Sequence, residues 1–234
     1  MATHLRENTS VDSAVDIVDS IAAALESDPL TTALSPVWSA LVTRGDALIA
    51  DLTRVRRVAR RARSRVAVLD AIWDALVRGF DRAALDSVGG HKLSPSYQQY
   101  WSAGTSGEIT RFGIDREVDV GRGILALLAP AAHVINALAD TWRPKLGPAT
   151  DDLEAASRAR RDAVIAMGPY LTAEYLYVED VNLELDRLEG QLQNIFPGDA
   201  KRVASYLMAT RRDSSGVPDA APAPTATSAS PGGP

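Results

Sequence analysis

Cysteine is absent from the 234 residues, which excludes disulfides, thiolate-held zinc, iron–sulfur clusters and a cysteine nucleophile. Histidine is almost absent. His4, His91 and His133 lie far apart in the chain, and none has a glutamate three residues before it. The Glu-x-x-His pairs of a di-metal carboxylate bundle are therefore missing. Only Lys92, Lys145 and Lys201 among the 25 basic residues are lysine, and with so much Ala, Val and Asp the arginine bias reads as a GC-rich, bacterial coding style. Long apolar runs are lacking too. The most apolar stretch, Ile124 to Ala139, is broken by Pro130, His133 and Asn136, and at about 16 residues it falls short of the roughly 20 needed to span a membrane. It reads as a buried core helix, with His133 as a core histidine. The first residues carry acids in place of a basic-then-apolar leader, so a soluble, cytoplasmic protein without a membrane span is expected. No phosphate-binding loop, dinucleotide fingerprint, nucleophile elbow or HExxH helix occurs. The expectation is a non-enzyme with no catalytic residue, no cofactor and no metal ligand; Glu179, Asp180 and Glu184 read as a solvated helix face.

What the sequence does contain is helical spacing nearly throughout, with no convincing strand alternation. Thr9 or Ser10 can cap a helix whose apolar stripe is Val11, Val15, Val18, Ala22 and Leu25. Ser35-Pro36 is a second start signal. From there Trp38, Leu41, Gly45, Leu48, Leu52, Val55, Ala59, Ala62, Val66, Leu69, Trp73, Leu76, Phe80 and Ala83 follow at steps of three and four. That register predicts one long helix packed in coiled-coil fashion, about 75–80 Å if continuous to Ser87 at 1.5 Å per residue. Gly45 is the expected kink, and Gly89-Gly90 the stop.

Ser94-Pro95 opens a short helix, and Thr105 with Glu108 fits a capping box. Asp115 can cap a helix through Val118, Gly121 and Ile124 that Pro130 ends, with 131–142 as the next. Thr150 is expected to cap a second long segment, interrupted at Gly168-Pro169, whose later seam is Val178, Val181, Leu185, Leu188, Leu192 and Ile195. Asp199 caps a last helix bearing Val203 and Leu207. The expected architecture is all-α: an elongated helical bundle with two long coiled-coil-like helices and short connecting ones. Its limits are a flexible N-terminus over 1–8, a single bundle domain over 9–212, and a disordered Pro/Ala/Ser-rich tail over 213–234 that holds five of the 13 prolines.

Seven arginines (Arg54, Arg56, Arg57, Arg60, Arg61, Arg63, Arg65) crowd one stretch without an acid. Acidic stretches at 7–28 and 174–189 could answer them, and the Val178–Ile195 seam is expected to pack on the Leu52–Leu69 seam with acids matched to arginines along the flanks. Tyr97, Tyr100, Trp101 and Phe112 gather in a connecting segment, where they either plug the bundle end or form a binding patch. The candidate interaction residues are Arg54, Arg57, Arg60, Arg61, Tyr97, Tyr100, Trp101 and Phe112. The leading expectation is a helical protein for interaction or assembly, whose partner is itself, as a homo-oligomer, or another protein. A nucleic-acid-associated or regulatory protein using the arginine run over 54–65 is the alternative, ranked below because the run lies in an acidic chain without aromatic platforms, and an enzyme whose site is not visible in the sequence ranks last.

Overall fold

In the computed structural model, which describes residues 4–129 and 136–208, Ser10 starts the first helix as its spacing requires. Its hydroxyl accepts a hydrogen bond from the Ser13 amide, and α1 runs Val11–Glu26 with Val11, Val15, Val18, Ala22 and Leu25 all buried. A single helix, α2, covers Ser35–Ser87, 53 residues without a break at Gly45. It stops where Gly89 and Gly90 take positive φ of 67° and 80°, conformations that glycine adopts without steric cost. Short helices α3 (Pro95–Gln98) and α4 (Ser106–Ile109) follow, the second started by the Thr105–Glu108 capping box. Next come α5 (Ile114–Leu127), α6 (Asn136–Ile165), α7 (Gly168–Ile195) and α8 (Ala200–Tyr206), with no strand among the described residues. The chain is all-α. The second long rod is divided into α6 and α7, and Pro169 sits just inside the start of α7, where its missing N–H costs nothing. His133, Pro130 and the tail over 213–234 lie outside the described residues. No described helix is long and apolar enough to cross a membrane.

The described residues divide into two compact units. In the first, formed by residues up to Leu48 and from Glu174 onward, the apolar face of α1 packs with the beginning of α2 and with the α7 seam. Tyr177, Val178, Val181, Leu185, Leu188 and Leu192 are all buried there. The Tyr177 hydroxyl donates to the Leu41 carbonyl at 3.1 Å, and Arg44 both stacks on the Tyr177 ring and pairs with Asp180 at 2.7 Å. Gly45 permits this approach: a β-carbon there would lie 2.2 Å from Val15 Cγ2 and 2.7 Å from the Tyr177 hydroxyl. The glycine read as a kink is instead a contact point in a continuous helix.

The N-terminal residues also depart from expectation. Over 4–8 the chain is docked: Leu5 is buried, its amide donates to Asn182 Oδ1 at 2.7 Å, and Asn182 Nδ2 donates back to its carbonyl. His4 pairs with Asp186.

At the end of this unit, Asp28 accepts from Tyr206, from the Leu30 amide and from Arg202. Those bonds, the tyrosine's first, hold its carboxyl down to about 2. A carboxylate depressed in the folded state contributes stability that is present above its unfolded pKa and is lost as pH falls through the folded one. The anchoring of α8 should therefore weaken between pH 4 and 2. Asp28→Asn should lower the urea midpoint at pH 6, and the difference from wild type should vanish near pH 2.

The second unit, residues 49–173, is built on the rest of α2 together with α3 to α6. Its core holds Trp73, Val77, Phe80, Ala84, Tyr100, Ile109, Val118, Ile124, Leu128, Leu146 and Leu153. Within α2 the most buried positions drift from the heptad register to Val77 and Ala84, while Leu76 and Ala83 are only partly covered. Seven residues of an α-helix fall about 20° short of two full turns, so over five heptads a straight helix shifts its buried face by about one residue.

Two expected caps turn out otherwise. Thr150 is fully buried inside α6, where it receives the Trp73 indole N–H at 3.1 Å. Gly113 caps α5 in place of Asp115, whose carboxylate accepts from Arg161 and Ser157 across to α6.

Candidate functional site

Of the eight candidate interaction residues, the four aromatics lie at the core of the second unit. Tyr100 is buried, and its ring meets Phe80 edge-on with centroids 5.1 Å apart. Trp101 lies against Phe80 at 5.9 Å and against Tyr97 at 6.1 Å. The Tyr97 hydroxyl donates to Asp81, and burial followed by that carboxylate pushes the phenol up to about 12. Phe112 packs against the same cluster and carries the Arg116 guanidinium over its ring. The plug reading describes them, because a loop-borne aromatic gains more by filling the helix ends than by facing water.

The arginines behave differently. Arg54, Arg56, Arg57, Arg60, Arg61, Arg63 and Arg65 are all exposed. Arg54 pairs with Asp51 one turn away, a surface contact worth about 0–1 kcal/mol. Among the described residues no ion pair is made by Arg57, Arg60, Arg61, Arg63 or Arg65. The acids expected to answer them have other partners: Asp180 pairs with Arg44, Asp186 with His4 and Glu184 with Arg187. Helical spacing aligns Arg54, Arg57, Arg61, Arg65, Val68 and Ile72 along one face of α2, opposite Leu52 and Val66, which are buried. Val68 is 60% exposed and Ile72 47%, so the face mixes exposed positive charge with β-branched apolar surface.

A second acid-rich feature has no counterpart in the sequence reading. Asp70 and Asp74 stand one helical turn apart on α2, on either side of Trp73, and Glu117 enters from the first turn of α5. Oxygen atoms of the three lie within 4.8 Å of one another. Burial, then a hydrogen bond to Asp70 and the charges of Asp70 and Asp74, pushes Glu117 well above the carboxylate range, to about 8. Burial and the Asp70 charge raise Asp74 as well, with Arg78 opposing. The signal in the sequence was positional. Glu117 shares the α5 stripe with Gly121, Ile124 and Leu128, and Asp70 falls where the drifting buried face of α2 passes between Val66 and Trp73.

Comparison with protein-family models, curated proteins and solved structures finds no match to this chain.

Proposed function

We propose that this is a non-catalytic assembly protein, in which the arginine face of α2 docks on the acidic outer face of α1 of a second copy. The observation that carries this reading is the exposed, unpaired row Arg57, Arg61 and Arg65, continued by bare Val68 and Ile72. A solvated helix does not need one-signed charge interleaved with exposed valine and isoleucine. An interface does, because apolar contact supplies attraction while charge selects the partner.

The chain itself supplies a matching surface. Asp12, Asp16, Asp19 and Glu26 are exposed along the side of α1 that faces away from its core, with Ala23 between them. Among the described residues Asp12, Asp16 and Asp19 make no ion pair. Each row, Arg54 to Val68 and Asp12 to Glu26, covers about 21 Å of helix at 1.5 Å per residue.

Such an interface is weak and salt-sensitive, since exposed pairs contribute about 0.2–1 kcal/mol each and are screened beyond a Debye length of about 10 Å at 0.1 M salt. Sedimentation velocity should show self-association at low ionic strength that fades as salt rises. The triple variant R57E/R61E/R65E should keep its helical circular dichroism and associate at least about a hundredfold more weakly, because like charges placed face to face cost several kcal/mol. A wild-type protein that is monomeric at every salt concentration would overturn the reading. Salt-sensitive binding of a short DNA or RNA duplex by that monomer would move the arginine face to the phosphate alternative.

A further inference from the structure

We propose that Asp70, Asp74 and Glu117 form a binding site for a hard divalent cation, of the calcium, magnesium or manganese class, inside the second unit. An i, i+4 pair of aspartates is by itself an ordinary solvated helix face. Glu117 changes that. It comes from a different helix, is only 2% exposed, has a buried Oε2 without a hydrogen-bond partner, and brings a carboxylate oxygen within 4.8 Å of one from each aspartate. The Oδ1 atoms of Asp70 and Asp74 are also buried and without partners. Arg78 reaches Asp74 only through its other oxygen, Oδ2, at 3.4 Å.

Beside the bond between Glu117 and Asp70, one buried oxygen of each residue is thus left without a donor, and buried acceptors in that state are costly. A metal ion seated among the carboxylates would satisfy one oxygen of each at once. The separation fits a metal. Oxygens held about 2.1–2.5 Å from one cation lie up to about 5 Å apart, and one carboxylate oxygen from each of these three residues falls within 4.8 Å of the others. The donor set is wholly carboxylate, with no imidazole or thiolate, which selects hard cations over zinc or copper. Helices set the positions: Trp73, between the two aspartates, is pinned by its bond to Thr150, and Gly121, one turn after Glu117, lets α5 lie close to both of those side chains. A bound cation would tie α2 to α5 directly. This site is independent of the arginine face, which lies on the other side of α2.

The test uses the full-length protein, stripped with chelator and titrated with Mn2+ while free Mn2+ is followed by electron paramagnetic resonance. The expected result is one bound equivalent, displaced by Ca2+ or Mg2+, and a melting temperature that rises with cation concentration as mass action requires. E117Q should bind at least about tenfold more weakly, in the range that altered metal-site residues give. D152N, which removes an exposed acid elsewhere in the same unit, should bind as wild type. Wild-type protein that takes up no Mn2+ at about 1 mM and melts at the same temperature with and without it would overturn the proposal. So would an E117Q protein with wild-type affinity. Should E117Q fail to fold, the wild-type stoichiometry and D74N decide the matter by the same criteria.

Discussion

Replacing Trp73 by alanine should cost the second unit about 3–5 kcal/mol, the range for removing a buried large aromatic. Trp73 is fully buried, and its indole N–H satisfies the hydroxyl of Thr150, itself fully buried in α6. The substitution therefore opens a cavity and orphans a buried polar group together, two losses that add. Trp73→Phe should restore most of the packing and leave the unsatisfied hydroxyl, for a smaller loss of about 1–3 kcal/mol. The double variant W73F/T150V should recover part of that loss, since neither partner is then left polar. Urea unfolding of the three variants, followed by circular dichroism, tests the ordering. Equal stability of wild type and Trp73→Ala would contradict the core assignment.

A second large effect is expected at Gly45. On an exposed helix, glycine to alanine stabilises by about 1 kcal/mol. Here the added carbon would sit 2.2 Å from Val15 Cγ2 and within 2.9 Å of the Tyr177 ring and hydroxyl. Val15 is β-branched and stiff at χ1, so it has little room to yield. Gly45→Ala should therefore destabilise the first unit, and Gly45→Leu should do so by about 3 kcal/mol or more, at or above the usual cost of overpacking. The sign of the alanine effect in a thermal melt separates a close-packed glycine from a flexible one.

These two positions also mark what the sequence could and could not convey. Chain punctuation was legible because it rests on local chemistry: the Ser10 cap, the Thr105–Glu108 box, the Gly89-Gly90 stop and the Asp199 cap all follow from neighbours within a few residues. The buried stripes of α1 and α7 were legible for the same reason, since their spacing survives over a short length. Long-range facts were not. Gly45 as a contact needs Val15 and Tyr177, Thr150 as a buried acceptor needs Trp73, and the docking of Leu5 needs Asn182. Over the 53 residues of α2 even the stripe misleads, because steps of three and four are satisfied almost equally by Leu76 and Val77. That ambiguity hid Asp70 on a buried face, and with it the carboxylate cluster. The arginine run was visible as composition, but that Arg57, Arg60, Arg61, Arg63 and Arg65 make no ion pair among the described residues is a property of the folded chain.

If arginines on α2 of one copy meet acids on α1 of another, a charge swap should exchange the two partners. R57E/R61E/R65E and D12R/D16R/D19R should each be monomeric alone, the first because two acidic faces repel and the second because two basic faces do. Mixed at low salt, the two variants should associate with affinity comparable to wild type and come apart as salt is added. Two folded variants that stay apart when mixed would contradict that pairing.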